Sequence, residues 1–250
     1  MLSKGAYARS GVRDCLALDL GSSTVRLWTP GMDTVIAEPA VLARPGGGRH
    51  LAGRAALAAR SVGAASTWPV RDGVVRDFFA CVHLLRLLTA DIGLPSDTAF
   101  PVLVGVPATA TLRQRNVLVA AVRRAVGGRV TAVEEPLAAA LACRTGSGDG
   151  DLIVVDIGSG RTEVARIAGR SVTVAERIGE AGPVDRIPAI ADCVRRLGRP
   201  HGGRRLLLTG GGATSPGAAA RLAAMTGRSV TMPADPPLAT LTGLRLLLTG

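Results

Sequence analysis

Asp19-Leu-Gly-Ser-Ser-Thr24 ends a run of apolar residues, and a close copy, Asp156-Ile-Gly-Ser-Gly-Arg161, stands 137 residues further along the chain. Each copy predicts a buried strand that ends in aspartate, a tight Gly/Ser turn and a second, alternating strand. One such hairpin alone is weak evidence, because most are ordinary β-turns. Two copies predict two related halves rather than a short-period repeat.

Both turns have the chemistry of a phosphate site. Successive backbone N–H groups and hydroxyl side chains in such a turn form a concave anion-binding surface. Each aspartate stands where a carboxylate can hold a hydrated Mg²⁺ beside that phosphate. The repeat therefore predicts a phosphate site built from two hairpins.

Composition indicates a folded chain and excludes several chemistries. The chain has 250 residues, of which 47% are hydrophobic and 2% aromatic, so we expect one or two domains with an aliphatic core. Its one lysine is Lys4, near the N-terminus. A P-loop needs a lysine after a strand, so this phosphate site is of another kind, and lysine-based catalysis is excluded as well.

The net charge of +11 has two interpretations. It is typical of proteins that bind nucleic acid or anionic membrane, or it reflects a composition rich in Arg, Ala and Gly. We favour the second, because the arginines are dispersed among apolar runs, and the stretch from Arg113 to Arg124 reads as the solvated face of a helix. The base-stacking aromatic residues of nucleic-acid modules are missing, which disfavours nucleic acid as a partner.

The cysteines and histidines give no metal or disulfide pattern. The four cysteines are isolated, which is typical of buried thiols in a reducing compartment. No apolar stretch reaches the roughly 18 residues of a membrane span, and residues 1–13 form a basic tail without the apolar run of a signal peptide. These features predict a cytoplasmic protein.

Between and after the hairpins the pattern is mixed α/β. Periodicity and capping signals predict five helices: one from Phe78 towards Gly93, one that follows the capping box Thr111/Gln114 and ends at Gly127, one with Pro136 at its first position, one opened by Pro188, and one capped by Ser215-Pro216. In the last, Leu222 and Met225 are expected to face inward. Strands are predicted at Pro101–Pro107, Val130–Val133, Ser171–Ala175, Arg205–Thr209 and Ser229–Met232, and a final apolar helix follows Pro237.

Four motifs in fixed order resemble those of the actin-like ATPases. They are Asp19-Leu-Gly-Ser-Ser-Thr24, Glu134-Glu-Pro-Leu-Ala-Ala-Ala140, Asp156-Ile-Gly-Ser-Gly-Arg-Thr-Glu163 and Leu208-Thr-Gly-Gly-Gly-Ala213. The phrases Arg71–Phe78, Val106-Pro107 and Asp235–Leu238 resemble more closely the MreB type of bacterial actin. The resemblance covers nearly the whole chain from Cys15 onward.

The resemblance implies an α/β actin-like ATPase fold with two RNase H-like lobes around a nucleotide cleft. Lobe I is expected at residues 14–145, with residues 237–250 returning to it, and lobe II at residues 146–236; helices at Pro136 and Pro237 form the hinge. Only Glu176–Arg204 separates the strand after the second hairpin from the Gly-rich motif. This implies a shortened lobe II that lacks a whole subdomain, and hence weaker nucleotide binding.

The resemblance also implies roles for particular residues. Asp19 and Asp156 would hold Mg²⁺ through its waters, and Glu135 would orient the attacking water. The residues expected to contact ATP, besides the two aspartates, are Gly21, Ser22, Ser23, Thr24, Gly158, Ser159, Gly160, Arg161, Thr162, Gly210, Gly211 and Gly212.

Two departures from the family pattern leave hydrolysis open. Ser159 and Arg161 stand where the family usually has a glycine and a threonine that helps to position the hydrolytic water. Arg161 can instead neutralise phosphate, or it can mark drift in a decayed site. Thr162 keeps a hydroxyl, but strand alternation is expected to turn it to the opposite face of the sheet.

Three functions follow from these features. The first is an ATP-binding, MreB-like cytoskeletal protein that self-associates and helps to place bacterial cell-wall synthesis. The second is a non-hydrolysing scaffold that co-assembles with a full-length actin homologue. The third is a basic protein that binds anionic membrane, at the inner face of the cell membrane. Sugar kinases and heat-shock chaperones share the motifs but need larger additional domains.

Overall fold

A computed structural model describes residues 14–32, 34–94, 99–143, 151–179, 185–198 and 205–250 of the protein. The strands are β1 (Leu16–Leu20), β2 (Thr24–Trp28), β3 (Ile36–Pro39), β4 (Leu42–Arg44), β5 (Leu51–Ala52), β6 (Ala65–Thr67), β7 (Val70–Arg71), β8 (Val74–Val75), β9 (Pro101–Val106), β10 (Arg129–Glu134), β11 (Leu152–Ile157), β12 (Thr162–Ala168), β13 (Ser171–Ile178), β14 (Arg205–Thr209) and β15 (Ser229–Thr231). The helices are α1 (Gly53–Ser61), α2 (Phe78–Thr89), α3 (Leu112–Val126), α4 (Glu135–Ala142), α5 (Ile187–Leu197), α6 (Ala218–Thr226) and α7 (Ala239–Thr249).

Two five-stranded sheets have the same topology. Their strand orders are β3-β2-β1-β9-β10 and β13-β12-β11-β14-β15. In each, the first three strands pair antiparallel and the last two run parallel to the central strand. The central strands β1 and β11 are apolar on both faces until their aspartate, as expected for strands covered on two sides. The predicted pair of RNase H-like lobes is confirmed.

Each sheet has its own core. In lobe I, α2 and α3 pack on one face of the first sheet, and in lobe II, α5 and α6 pack on the second. The helices α4 and α7 lie together between the two sheets. Ala139 and Ala140 of α4 contact the second sheet at Leu152 and Val154, whereas Ala138 of the same helix packs on the first.

The capping signals at α3 are confirmed. The Thr111 hydroxyl accepts a hydrogen bond from the Gln114 backbone N–H, and the Gln114 side chain accepts one from the Thr111 N–H. Gly127 ends the helix with a positive φ of 76°. The predicted strands and the helix opened by Pro188 are also present, with bounds that differ from the prediction by at most three residues.

Some predictions for helices were wrong in detail. The helix at Phe78 ends at Thr89, before Gly93, and α4 begins at Glu135 rather than at Pro136. Ser215 does not cap α6, whose N-cap is Gly217 in the left-handed region. Met225 is 38% exposed, whereas Leu222 of the same helix is fully buried.

Residues 36–75 contain elements that the sequence did not predict. β4, β5 and β6 form a small antiparallel sheet, α1 packs against it, and β7 and β8 form a two-stranded hairpin. These strands are two or three residues long, too short to show an alternation. The hairpin ends in the turn Asp72-Gly73, which reaches the cleft between the lobes.

Some boundary predictions lie outside the described residues. The basic tail at residues 1–13 and the lobe boundary expected between residues 145 and 146 are in this category, and so are parts of the segment between β13 and β14. The division at residues 145 and 236 and the shortening of lobe II therefore stay predictions. Within the described ranges, no helix is long and apolar enough to cross a membrane.

The close crossing of α4 and α7 depends on Gly243. A Cβ atom at this position would overlap the backbone carbonyl of Ala138. The two helices can therefore approach only because Gly243 has no side chain.

We expect Gly243→Ala to destabilise the protein by about 1–3 kcal/mol, because overpacking outweighs the higher helix propensity of alanine. The measurement is the free energy of unfolding from urea denaturation. Gly179→Ala is the matched control, since a Cβ at Gly179 would meet no atom within 4 Å. A gain in stability for Gly243→Ala would contradict the crossing described above.

Candidate functional site: a cleft between two hairpins

A cleft of about 350 Å³ lies where the two sheets face each other. Fourteen of the fifteen residues singled out from the sequence line it: Asp19, Gly21, Ser22, Ser23, Thr24, Glu135, Asp156, Gly158, Ser159, Gly160, Arg161, Gly210, Gly211 and Gly212. Thr162 does not. It is fully buried on the other face of β12, because side chains alternate along a strand.

The two hairpins have the same turn. The N–H of Gly21 donates to the Thr24 carbonyl at 3.0 Å, and the N–H of Gly158 donates to the Arg161 carbonyl at 2.9 Å. A Cβ atom on either glycine would lie about 3 Å from that same carbonyl. Thr24 and Arg161 therefore occupy equivalent positions in the two halves.

Asp19 is the carboxylate of the first hairpin. Its Oδ2 accepts a hydrogen bond from Nη1 of Arg26 at 3.3 Å, and the two residues are direct partners in the β1–β2 register. Burial raises the pKa of Asp19, while the charges of Arg26 and, to a lesser extent, Arg161 oppose the rise. The Asp19 carboxylate thus has one arginine in contact and a second nearby.

Asp156 is the carboxylate of the second hairpin, and its side-chain hydrogen-bond partner is uncharged. Its Oδ1 accepts a hydrogen bond from the Thr209 hydroxyl at 3.3 Å. Burial raises the pKa of Asp156 to about 6; the charge of Arg161 opposes this rise, and the charges of Asp19 and Glu163 add to it. A further cation beside Asp156 would stabilise its ionised form.

Glu135 and Arg161 form a buried ion pair across the cleft. Nη2 of Arg161 donates to Oε2 of Glu135 at 2.6 Å, and the residues are 5% and 8% exposed respectively. Burial raises the pKa of Glu135; Arg161 opposes this, whereas Asp156, Asp19 and Glu163 reinforce it. The negative charge around Arg161 thus exceeds what one guanidinium neutralises.

The Gly-rich motif at the end of β14 borders the second hairpin. A Cβ on Gly210 would overlap the Asp156 carboxylate, and one on Gly212 would overlap the Ile157 side chain. Only Gly211 has open space around its Cβ position. Packing therefore requires two of these glycines, whereas a side chain at position 211 would have free space.

Glu163 links the lobes in a way that the sequence did not predict. Its carboxylate accepts hydrogen bonds from the backbone N–H groups of Ala108 and Thr109, both at 3.0 Å, and from the Thr109 hydroxyl at 2.6 Å. The partners follow β9 in lobe I, whereas Glu163 lies on β12 in lobe II. A contact between residues about 54 positions apart leaves no local pattern in the sequence from which it could be predicted.

The turn Asp72-Gly73 closes another side of the cleft. The N–H of Gly73 donates to the Ser22 hydroxyl at 2.9 Å, and the Asp72 carbonyl accepts from Nη1 of Arg161 at 3.3 Å. Asp72 has a φ of 54°, unusual for a residue with a side chain. A Cβ on Gly73 would lie 2.5 Å from Cζ of Arg161, so the guanidinium fits only against a glycine here.

Arg26, Gly73 and Thr240 also line the cleft and were missed as site residues. Arg26 could have been found from the hairpin register, which sets it opposite Asp19. Gly73 lies in the Arg71–Phe78 phrase, although nothing in that phrase indicates the cleft. Thr240 belongs to α7, which reaches the cleft only through tertiary packing.

The carboxylates of the cleft are the side chains that could hold a metal ion. Among the described residues, no three His, Cys, Asp or Glu side chains are grouped so that they could hold a metal ion. Asp19 and Asp156 do line one cleft, and burial raises the pKa of both carboxylates. This arrangement fits a hydrated cation held through its waters.

Comparison with known proteins agrees with the fold. The curated relatives are cell shape-determining proteins named MreB. That of Escherichia coli (strain K12) is 32% identical over 199 residues, a match covering 72% of this chain and 55% of that protein. That of Pasteurella multocida (strain Pm70) is 34% identical over 169 residues, covering 61% and 47%. The chain thus spans about half the length of the curated relatives it matches.

Two solved structures share the architecture. MreB5 of Spiroplasma citri bound to AMPPNP has a TM-score of 0.76 at 18% identity, covering 95% of this chain and 96% of that one. The double helical filament of MamK has a TM-score of 0.76 at 20% identity, covering 94% and 98%. At such identities the likeness confirms the actin-like fold. A family model described as MreB/Mbl protein matches residues 13–197, so the chain belongs to the MreB/Mbl family.

Proposed function

We propose that the protein binds ATP in the cleft between the two hairpins. The observation that carries this is the pair of equivalent Gly/Ser turns, which end β1 and β11 and line one cavity. Turns of this kind offer backbone N–H groups and hydroxyls to phosphate. The structures of Spiroplasma citri MreB5 with AMPPNP and with ADP support the same use of the fold.

The phosphates would lie between the hairpins and the adenosine beside Gly211. Ser22, Ser23 and Ser159 supply hydroxyls at the turns, and Gly211 leaves room for a ligand to approach the backbone. Asp19 and Asp156 would hold Mg²⁺ through its waters. The ion, when bound, neutralises phosphate charge.

We further propose that the protein is a cytoskeletal factor that assembles through self-association or with a full-length actin homologue. Membership of the MreB/Mbl family supports a role in cell shape and in the placement of cell-wall synthesis. The MamK filament supports assembly by this fold. A cytoplasmic location fits such a role. The net charge of +11 suits contact with the inner face of the cell membrane.

A second candidate is a scaffold that binds nucleotide without hydrolysing it. The observation that favours it is the ion pair between Arg161 and Glu135. Nη2 of Arg161 donates to Oε2 of Glu135, and the charge of Arg161 lowers the pKa of this carboxylate, which weakens it as a general base. In this form, nucleotide would act as a structural ligand.

We expect millimolar ATP with Mg²⁺ to raise the melting temperature of the full chain by about 5 °C or more, because a ligand at a hundred times its Kd adds about 2.7 kcal/mol of stability. Gly211→Glu places a charged side chain in the open space of the cleft, so it should abolish the rise. Gly179→Glu, at an exposed position that is also free of neighbours, is the matched control and should keep it. An unchanged melting temperature for the unmodified chain would refute ATP binding.

Hydrolysis separates the two candidates. If the scaffold candidate holds, phosphate release from ATP stays at background, and Arg161→Thr raises it by roughly tenfold or more, because Glu135 is freed. Adding Glu135→Gln to Arg161→Thr should return release to background. Turnover by the unmodified chain that Arg161→Thr does not increase would favour the first candidate and exclude a blocking role for Arg161.

A further inference from the structure

Arg161 lies where the two halves of the molecule differ in charge. Its equivalent in the first hairpin is Thr24, so the repeat places a hydroxyl on one side of the cleft and a guanidinium on the other. Arg161 is 5% exposed and is fixed by Glu135 and by the Asp72 carbonyl. An arginine held in this way is a permanent charge, because its guanidinium stays protonated in proteins.

The charges around Arg161 are those that a divalent cation would otherwise balance. Three carboxylates and two arginines line the cleft: Asp19, Glu135, Asp156, Arg26 and Arg161. With every group ionised the lining carries a net charge of −1, and without Arg161 it would carry −2. Burial tends to lower the pKa of Arg161, but Glu135, Glu163, Asp156 and Asp19 together hold it above its ordinary value.

We propose that Arg161 is a resident cation of the nucleotide site and takes over part of the charge neutralisation that Mg²⁺ would supply there. This inference rests on the proposed binding of ATP. A fixed positive charge beside the phosphates attracts them directly. The same charge also repels a second cation in the cleft. Mg²⁺ should therefore raise the affinity for nucleotide less than it would in a site without Arg161.

The Asp72-Gly73 turn packs directly against the Arg161 side chain. Gly73 leaves the space that the guanidinium fills, since a Cβ there would lie 2.5 Å from Cζ. Asp72 adopts a positive φ and directs its carbonyl to Nη1 of Arg161. The guanidinium is thus held in one place, between the Asp72-Gly73 turn and Glu135.

The test is the affinity of the full chain for AMPPNP, measured by isothermal titration calorimetry in Mg²⁺ and in EDTA. We expect the Kd of the unmodified protein to rise by no more than about fivefold in EDTA. For Arg161→Thr we expect this ratio to be larger by about tenfold or more, because one nearby charge is lost. Arg161→Lys retains a charge and should keep the ratio small.

Arg166→Thr is the matched control. Arg166 lies on β12, the strand that Arg161 precedes, but it pairs with Asp151 at 3.2 Å and does not line the cleft. Its loss changes the net charge of the protein by the same amount, so it should leave the ratio unchanged. A comparable change for Arg166→Thr would mean a general charge effect and would overturn the proposal.

The loss of Arg161 leaves Glu135 buried without a partner, which can prevent folding. In that case the same comparison is made in the Glu135→Gln background, with and without Arg161→Thr, and the same tenfold difference is expected. An equal ratio in the presence and absence of Arg161 would overturn the proposal while leaving ATP binding intact. Absence of AMPPNP binding in both media would refute the proposed function, and this inference with it.

Discussion

The buried ion pair between Arg161 and Glu135 is the contact on which the arrangement of the two lobes depends. Arg161 precedes β12 of lobe II, and Glu135 begins α4, the helix between the sheets. Removing one partner of a buried pair typically costs about 3–5 kcal/mol, because the other charge is left uncompensated. Loss of either partner should therefore weaken the contact between the two sides of the cleft.

Two further links act with this pair. Glu163 binds the loop after β9, and Arg177 pairs with Asp72 at 3.0 Å. All three run from the second hairpin and its strands to lobe I, so they lie on one side of the cleft. On another side, the lobes meet through α4 and α7, where Gly243 allows contact with the Ala138 backbone. The cleft is thus framed by polar links on one side and close helix packing on another.

The sequence predicted the parts of this arrangement that are encoded locally. The two hairpins were found because each is a contiguous stretch and the copies resemble each other. The capping box at Thr111 was found because its two partners are three residues apart. The resemblance to actin-like ATPases then supplied the fold, which local patterns alone could not have supplied.

The parts that were missed depend on contacts between distant residues. Glu163 bonds to a loop 54 and 55 positions earlier, and Gly73 meets Ser22 across 51 positions. The small sheet of β4, β5 and β6 and the β7–β8 hairpin have strands too short to show a period. Helical spacing placed Met225 inside, but it is 38% exposed, since spacing alone does not show which neighbours cover a helix. In each case the missing information is the position of a neighbour.

The difference between Thr24 and Arg161 shows how the repeat was adapted. The shared turn fixes both backbones in one geometry, so the side chain at this position can change without disturbing the hairpin. In the first half the position carries a hydroxyl beside Ser23. In the second it carries a charge that bonds to Glu135 and lies under the Asp72-Gly73 turn. Any phosphate that enters the cleft competes with Glu135 for the guanidinium of Arg161. Nucleotide binding and the link between the lobes therefore depend on the same side chain.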